Sequence, residues 1–219
     1  YARALGALRF PPERKQQLFT QNAISGINDA DSDGKVLRYY EADNVDDLVD
    51  RMLYTDLMTR VPDHNLVIGD RMSMACSLEV RSPFVDPGMV EFAARLPKRF
   101  KVKGPKLKYL LREVAKRYIP EDVASLPKQG FGFPVGLWMQ RDLGPLLRAR
   151  LGNSKLVSAG VFNQAYLDSL MQQHLSRRHD HSYRLWLLLC LEYWYDLYIE
   201  QMSVQALQED TREILAHAV

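Results

Sequence analysis

The chain has 219 residues, of which 47% are hydrophobic and 26% charged, and its 29 basic and 27 acidic side chains give a net charge of +2. This balance is typical of a folded globular protein and excludes a disordered, collagen-like or disulfide-dense chain. No run of about 18 apolar residues occurs, so we expect no membrane span. Cys76 and Cys190 stand among apolar neighbours, which predicts two buried free thiols in a cytoplasmic protein.

Apolar residues at three- and four-residue intervals dominate the chain and predict helices. The first clear helix follows Asn44, a good N-cap, and ends at Pro62. Asp86 and Pro87 provide the N-cap and first position of another helix. The predicted helices after Pro62 cover residues 63–77, 87–95, 106–118, 142–150, 164–176 and 181–200. The last of these is apolar nearly all round, which predicts a helix buried in a bundle.

No alternation of strands and helices is visible, so we expect a mainly α-helical bundle without a parallel sheet. The length fits a single domain over residues 1–219. Within it we predict an irregular or helical N-terminal segment (1–43), a helical core (44–200) and a weakly helical C-terminal tail (201–219).

Charge is distributed unevenly along the chain. Residues 29–56 contain nine acidic and three basic residues, whereas residues 98–117 contain nine basic and one acidic residue. The basic segment is compatible with a solvated face, a nucleic-acid footprint, or a site for a small polyphosphate near Lys128. The pI near 8.5 and the adjacent acidic segment argue against nucleic acid as the partner.

Two sets of side chains have the composition of metal ligands. The first resembles the start of an EF-hand loop and consists of Asp29, Asp31, Asp33 and Gly34. Its twelfth position is Tyr40 instead of a carboxylate, which favours an acidic surface turn. The second set is His174, His179, Asp180 and His181. Its spacing does not align on one helix face, so a helix end followed by an N-cap is the preferred interpretation.

Two acids and two arginines lie next to a predicted apolar face: Asp70, Arg71, Glu79 and Arg81. Such groups are rarely buried unless paired, so a structural pair of Glu79 with Arg81 is expected. Asp70, one helix face away from the turn at Pro83, is the candidate for chemistry.

A series of motifs covers about residues 60–195: VPDHNLVIGDRMSM (61–74), LEVRSPFVD (78–86), KYLLRE (108–113), PKQGFGFP (127–134) and DHSYRLW (180–186). In this order the motifs resemble the synthetase half of glutamine-hydrolysing asparagine synthetases. The resemblance implies the C-terminal helical part of an ATP-pyrophosphatase domain, which is adenine nucleotide alpha hydrolase-like, without its parallel sheet.

The resemblance also implies a reaction. A glutaminase domain releases ammonia from glutamine, and the synthetase domain activates aspartate with ATP as a β-aspartyl adenylate, with pyrophosphate and AMP as products. This sequence lacks a terminal Cys, a Ser-Gly-Gly-x-Asp-Ser phosphate loop and a Gly-Asp-Gly-x-Asp-Glu segment. We therefore expect a fragment that is inactive alone, whose partners are the missing glutaminase domain and nucleotide-binding sheet; a homodimer is also compatible.

Residue roles follow from the same resemblance. Lys128 matches the catalytic lysine, and Asp70 matches an acidic position that lines the active site. Substrate or phosphate binding is expected of three further cations: Arg71, Lys108 and Arg112. Mg²⁺ is expected to be held mainly by ATP and by segments outside this chain, so we assign no metal ligand. The alternatives are an amidotransferase for another carboxylate, a basic helical nucleic-acid-binding module, and a non-catalytic scaffold.

Overall fold

The computed structural model describes residues 10–26, 34–127 and 133–216. The chain forms two compact units. Unit 1 contains Tyr1–Ala30 and Phe131–Val219, and unit 2 contains Asp31–Gly130.

Helices account for most of the described residues. The α-helices in chain order are α1 (Pro12–Leu18), α2 (Gln21–Gly26), α3 (Gly34–Tyr40), α4 (Leu48–Met58), α5 (Val67–Met74), α6 (Pro87–Arg95), α7 (Lys98–Lys101), α8 (Tyr109–Ala115), α9 (Glu121–Ser125), α10 (Val135–Gln140), α11 (Gly144–Gly152), α12 (Lys155–Ser158), α13 (Gln164–Leu175), α14 (Ser182–Tyr198) and α15 (Val204–Ala216). A π-helical segment (Val61–Leu66) precedes α5, and a 3₁₀ turn (Pro83–Val85) precedes α6. The mainly α fold class is therefore confirmed.

The described residues contain one sheet, the antiparallel pair of β1 (Val102–Lys103) and β2 (Lys106–Leu107). This hairpin was not predicted. Its turn contains Gly104, whose φ of +56° glycine adopts without the steric penalty that a Cβ brings. Because the hairpin occupies the start of the range 106–118, helix α8 begins later than predicted, at Tyr109.

Local capping explains where two helices of unit 2 begin. Asp86 caps α6 as predicted, since its carboxylate accepts hydrogen bonds from the backbone N–H groups of Gly88 and Met89. The prediction that Asn44 caps the preceding helix was wrong. Asp47 is the N-cap, and its Oδ1 accepts a bond of 2.8 Å from the N–H of Val49.

The prediction that Pro62 ends the helix after Asn44 was also wrong. Helix α4 ends at Met58, and Pro62 lies in the first turn of the π-helical segment. A proline is tolerated there because a first-turn N–H has no intrahelical partner.

The hydrophobic core lies in unit 1. Its buried members come from α1, from the helices α10 to α14 and from the loop before α13: Leu18, Met139, Leu146, Leu147, Leu151, Leu156, Phe162, Leu167, Leu170, Met171, Leu185, Leu188 and Leu189. The composition of helix α14 predicted burial on all sides, and this prediction was wrong. Trp186, Trp194 and Tyr198 are exposed, because the described residues of unit 1 cover only one of its faces.

Unit 2 is built differently. Between residues 34 and 127 no hydrophobic side chain is fully buried; the buried residues are Thr55 and Thr59, whose hydroxyls donate to backbone carbonyls one turn earlier. Apolar side chains on α5, α6 and the segment between them are exposed, including Met72, Leu78, Val80, Phe84 and Phe92. Unit 2 therefore presents apolar faces that no described residue covers.

The prediction of two buried thiols was wrong, since both free cysteines are exposed. Cys76 lies in the turn after α5, where unit 2 has no covering layer. Cys190 lies on the outward face of α14. Among the described residues, no helix is long and apolar enough to cross a membrane.

Candidate active site

An open groove of about 870 Å³ lies in unit 2, between the start of α5 and the segment that leads into α6. Its polar lining combines carboxylate, guanidinium, amide and hydroxyl groups from Asn65, Asp70, Arg81, Ser82 and Asp86. The remaining lining is mainly apolar. A small polar substrate would find both charged and apolar contacts here.

The groove results from a sharp change of direction after α5. Ser77 has a φ of +58°, a left-handed conformation that reverses the chain at the end of this helix. Ser82 is extended, with φ −94° and ψ 115°, because Pro83 disfavours the helical region for the residue before it. Asp86 then caps α6. The segment from Val80 to Asp86 thus returns to face the first turn of α5.

Asp70 supplies the groove with an exposed carboxylate. In the described part of the chain, neither carboxylate oxygen of Asp70 has a hydrogen bond or ion pair; only its backbone carbonyl accepts a bond, from Ser73. Arg81 also lines the groove, and its Nε donates to Glu79 Oε1 at 2.9 Å. Both members of this pair are largely exposed. An exposed carboxylate beside a cation that is already paired is suited to bind a substrate ammonium or to accept a proton.

Three other predicted residues, Arg71, Lys108 and Arg112, do not line this groove. Arg71 follows Asp70 on α5 and is exposed. Lys108 is the left-handed residue, with φ +55°, that precedes α8. Arg112 lies on α8, and its Nη1 donates to the carbonyl of Leu126 at 3.2 Å. Lys128 lies outside the described residues, so its position relative to Asp70 stays a prediction.

The bond from Arg112 reaches a carbonyl two residues before Lys128. It therefore fixes the base of the segment that carries this lysine to helix α8 of the same unit. This contact of Arg112 was not evident from its spacing in the sequence. Asn65 and Ser82 were missed as lining residues too, because only the chain reversal brings them to one groove.

The basic and acidic segments of unit 2 partly neutralise each other. Lys98 pairs with Asp47 at 3.0 Å, and Lys101 pairs with Asp50 at 2.7 Å. The hydrogen bond from Lys98 lowers the pKa of Asp47 below its usual value. Within the basic segment, Lys116 pairs with Glu113 at 2.9 Å. These pairs explain part of the acidic segment and reduce the charge available to a polyanion, which weakens the nucleic-acid alternative.

The histidine cluster of unit 1 forms a junction between α13 and α14. His174 is fully buried, and its Nδ1 accepts a bond of 3.2 Å from the backbone N–H of His181. Asp180 accepts a bond of 2.8 Å from the N–H of Ser182, the first residue of α14. Hydrogen bonding from the side chain of Ser182 first, and from this N–H second, lowers the pKa of Asp180. The geometry is that of a helix end followed by a cap, as the spacing indicated.

His181 is sensitive to pH because both of its ring nitrogens are occupied. Nε2 contacts Gln173 Oε1 at 2.8 Å, and Nδ1 lies 3.2 Å from Nη1 of Arg184, which can only donate. Burial first, and the charge of Arg184 second, lower the pKa of His181 to about 4 from 6.5. The charges of Arg14, His179 and His174 also lower the pKa of His181.

We expect this histidine to make unit 1 less stable in mild acid. The unfolded chain binds the proton near pH 6.5 and the folded chain only near pH 4, so stability is fully present above pH 6.5 and is lost as the pH falls towards 4. Chemical denaturation of wild type and His181→Gln at pH 7 and pH 4 should show the wild-type advantage shrinking by about 1 to 3 kcal/mol. An advantage that is independent of pH would contradict this assignment.

Metal binding by the described residues finds no support. They contain no group of three or more His, Cys, Asp or Glu side chains placed to hold one ion. The acidic residues Asp29, Asp31 and Asp33 of the EF-hand-like sequence lie outside the described residues.

Comparison with known proteins shows which family this chain resembles. The family model for asparagine synthase matches residues 2–196. Asparagine synthetase 1 (glutamine-hydrolyzing) of Bacillus subtilis is 29% identical over 168 residues, which cover 76% of this chain and 26% of that protein. The putative asparagine synthetase (glutamine-hydrolyzing) of Mycobacterium tuberculosis is 34% identical over 166 residues, covering 74% and 25%. Amidase chyE of Penicillium rubens is 30% identical over 86 residues, covering 36% and 12%.

This chain spans about a quarter of the length of the two synthetases it matches. No solved structure gives a significant match. Because the family model covers most of the chain, from residue 2 to residue 196, the protein belongs to the asparagine synthase family.

Proposed function

We propose that this chain is the C-terminal helical part of the synthetase domain of an ATP-dependent, glutamine-hydrolysing enzyme that makes asparagine from aspartate. The observation that carries the proposal is the groove with the exposed Asp70 carboxylate, which has no ion-pair partner among the described residues and lies within the segment matched by the family. Since the matched synthetases are about four times as long, the activity is assigned to a longer protein.

The proposed reaction has two steps. An oxygen of the aspartate side-chain carboxylate attacks the α-phosphorus of ATP and pyrophosphate leaves, which gives the β-aspartyl adenylate. The nitrogen of ammonia then attacks the acyl carbon, AMP leaves with the electrons of the broken C–O bond, and the nitrogen loses a proton. Fixed cations accelerate the first step when they stabilise the charge that develops on the departing pyrophosphate.

Lys128 is the cation that we assign to the departing pyrophosphate. Its ammonium is a compact charge on a flexible stem and is able to follow a leaving group. Arg112 supports this role by holding the carbonyl of Leu126, at the base of the same segment. Lys108 and Arg71 are proposed as further contacts to phosphate or substrate, because both are exposed cations without an ion pair in the described part of the chain.

Asp70 is assigned to the amino acid substrate. Its carboxylate is exposed to the groove and has no cationic partner among the described residues, so a substrate ammonium would provide that partner. A carboxylate at this place is also suited to accept the proton that ammonia loses. Mg²⁺ would be held by ATP and by segments outside this chain, and we derive no step from it.

The exposed apolar faces of unit 2 support the proposal of a missing partner. Side chains such as Met72, Val80 and Phe92 are about half exposed or more, and large apolar side chains left exposed on successive segments are typical of an interaction site. We propose that the nucleotide-binding sheet of the longer protein covers these faces, with the glutaminase domain further upstream. A cytoplasmic homodimer of this longer protein is the assembly that we propose.

The isolated 219-residue chain is expected to be inactive because it lacks a phosphate loop. When it is incubated with ATP, Mg²⁺, aspartate and ammonia, we expect no AMP above the level of a protein-free control. The full-length protein under the same conditions should form AMP and asparagine in equal amounts. AMP formation by the isolated chain would refute the assignment of ATP binding to the missing segments.

A second candidate function is amide formation on a different carboxylate. It is favoured by the partial match to a protein named as an amidase. The same assay distinguishes the two functions when aspartate is replaced by other carboxylic acids. AMP formation that requires ammonia but does not respond to aspartate would exclude asparagine synthesis and support this alternative.

A further inference from the structure

A second cavity, of about 310 Å³, lies in unit 1 between α10 and the loop that joins α13 to α14. Its lining consists of Gly136, Leu137, Gln140, Arg177, His179 and Asp180. The members from the loop are all ionisable, whereas those from α10 are uncharged. The volume lies at the lower end of the range for small-molecule sites, which is about 300 to 1,000 Å³.

Hydrogen bonds fix both walls of this cavity. On α10, Nε2 of Gln140 donates to the carbonyl of His174, near the end of α13, at 3.3 Å. In the loop, the backbone N–H of Arg177 donates to the same carbonyl at 3.0 Å, and that of His179 donates to the carbonyl of Gln173 at 3.2 Å. Because these bonds need no ligand, the walls are ordered in advance and binding costs less conformational entropy.

Gly136 leaves the carboxylate of Asp180 open to the cavity. A Cβ at residue 136 would lie 3.5 Å from Oδ2 and 3.6 Å from Oδ1 of Asp180. The side chain of Asp180 is 73% exposed. A carboxylate accepts about four hydrogen bonds, and Ser182 occupies only part of this capacity. A ligand donor therefore reaches the remaining positions through the space in which glycine has no side chain.

The two opposite charges of the cavity do not neutralise each other. In the described part of the chain, the guanidinium of Arg177 has no hydrogen bond or ion pair, and His174 is the one basic group within ion-pair distance of Asp180. Nδ1 of His174 lies 3.6 Å from Oδ1 of Asp180, but it accepts the backbone N–H of His181 and so has no proton to donate. A cation and an anion thus line one cavity without a counter-charge from the described residues.

We propose that this cavity binds the zwitterionic head group of a free α-amino acid. The guanidinium of Arg177 presents parallel N–H donors that match the two oxygens of the ligand carboxylate. The ligand ammonium donates to Asp180, and Leu137 contacts the first carbon of the ligand side chain. A ligand with one charge would leave the opposite charge of the cavity without a partner. The cavity lies in unit 1 and the groove with Asp70 in unit 2, so the inference does not depend on the proposed reaction.

Titration of the full 219-residue chain with L-alanine tests the proposal. L-Alanine carries both charges of the head group and only a methyl side chain. At constant ionic strength, we expect saturable binding by calorimetry and a rise in Tm. Propionate lacks the ammonium group and ethylamine lacks the carboxylate, so we expect each of them to bind about tenfold more weakly than L-alanine or worse.

Charge variants locate the site. Arg177→Gln and Asp180→Asn should each weaken L-alanine binding by about tenfold, the loss expected for a hydrogen bond between charged groups. In Arg177→Gln the advantage of L-alanine over ethylamine should disappear, and in Asp180→Asn its advantage over propionate. Asparagine keeps an oxygen for the N–H of Ser182. Arg178→Gln is the matched control, because it removes an adjacent exposed arginine that does not line the cavity.

Gly136→Ala tests the approach to Asp180. The added methyl group meets this carboxylate at an ordinary contact distance of 3.5 Å, and alanine is favoured over glycine in helices. We therefore expect a Tm without ligand that is no lower than in wild type, together with L-alanine binding that is weakened by about tenfold. Far-UV circular dichroism verifies that this variant and the charge variants fold.

The proposal fails if L-alanine does not bind, if propionate or ethylamine binds as tightly, or if Arg177→Gln and Asp180→Asn bind L-alanine like the wild type. Binding that falls equally in Arg178→Gln would show a general charge effect and would also overturn the site.

Discussion

In the full-length enzyme, Lys128→Ala is expected to lower kcat by about 100-fold or more and to leave the KM for aspartate within a few-fold of wild type. The reason is that the ammonium is assigned to charge that appears only as pyrophosphate departs, so its loss removes a transition-state contact and not ground-state binding. Steady-state AMP formation measures both constants. Lys106→Ala is the matched control, since this exposed lysine of β2 is given no role.

Isotope exchange makes the test more specific. Aspartate-dependent exchange of labelled pyrophosphate into ATP reports the adenylation step without ammonia. We expect Lys128→Ala to lose this exchange by the same factor as kcat. Turnover close to wild type would remove Lys128 from the mechanism, and normal exchange with slow amide formation would move the residue to the second step.

Asp70 is expected to behave differently from Lys128. If its carboxylate binds the substrate ammonium, Asp70→Asn in the full-length enzyme raises the KM for aspartate and leaves pyrophosphate exchange at saturating aspartate largely intact. If it accepts the proton from ammonia, exchange is normal at all aspartate concentrations and only amide formation slows. A variant with wild-type kinetics in both assays would exclude Asp70 from the site.

The helices could be predicted where local signals agreed with tertiary packing. Asp86 and Pro87 form a cap and first position that depend only on neighbouring residues, and α6 begins and ends where predicted. The predicted bounds of α13 and α14 were likewise correct to within a residue or two. In contrast, Asn44 and Asp47 are both good caps, and sequence alone did not show which one the chain uses.

Burial was harder to predict than helix formation. The apolar stripe of α5 and the apolar surroundings of Cys76 indicated burial, yet these residues are exposed because a stripe shows only that a partner is needed, not that the described chain contains it. The groove was missed for a related reason. Asn65 and Ser82 meet only after the chain reverses at Ser77, and this left-handed serine has no distinctive sequence signal.

The acidic and basic segments show the same dependence on tertiary structure. Counting charges predicted two surfaces of opposite sign, but it did not show that Lys98 and Lys101 reach Asp47 and Asp50, about fifty positions earlier in the chain. Pairing of this kind is invisible to composition, which sums charge without regard to distance. It weakens the case for a nucleic-acid partner, because Lys98 and Lys101 are already paired with carboxylates.

In unit 1, a network of charged side chains connects helix α14 to the C-terminal helix α15. Asp196 on α14 is 1% exposed, and its two carboxylate oxygens accept bonds from Nη1 of Arg150, at 2.7 Å, and from Nζ of Lys155. Nη2 of Arg150 pairs with Asp210 on α15. The guanidinium also lies over the ring of Tyr193, 4.8 Å from its centroid.

Removing Asp196 leaves a largely buried guanidinium without its main counter-charge, and such a change costs about 3 to 5 kcal/mol. We therefore expect Asp196→Ala to lower the free energy of unfolding of the full chain by this amount, measured by urea denaturation with tryptophan fluorescence. Asp196→Asn retains the shape of the side chain but not its charge, so we expect it to lower the free energy of unfolding by most of the same amount.

Asp210→Ala is the matched control for this prediction, because it removes another carboxylate from the same arginine. Asp210 is 45% exposed, so water replaces much of what the guanidinium loses, and the expected cost is about 1 kcal/mol or less. Equal costs for Asp196→Ala and Asp210→Ala would show that burial does not set the strength of this network. A large difference would show that the buried carboxylate of Asp196 contributes more than the exposed carboxylate of Asp210 to the contacts that Arg150 and Lys155 make.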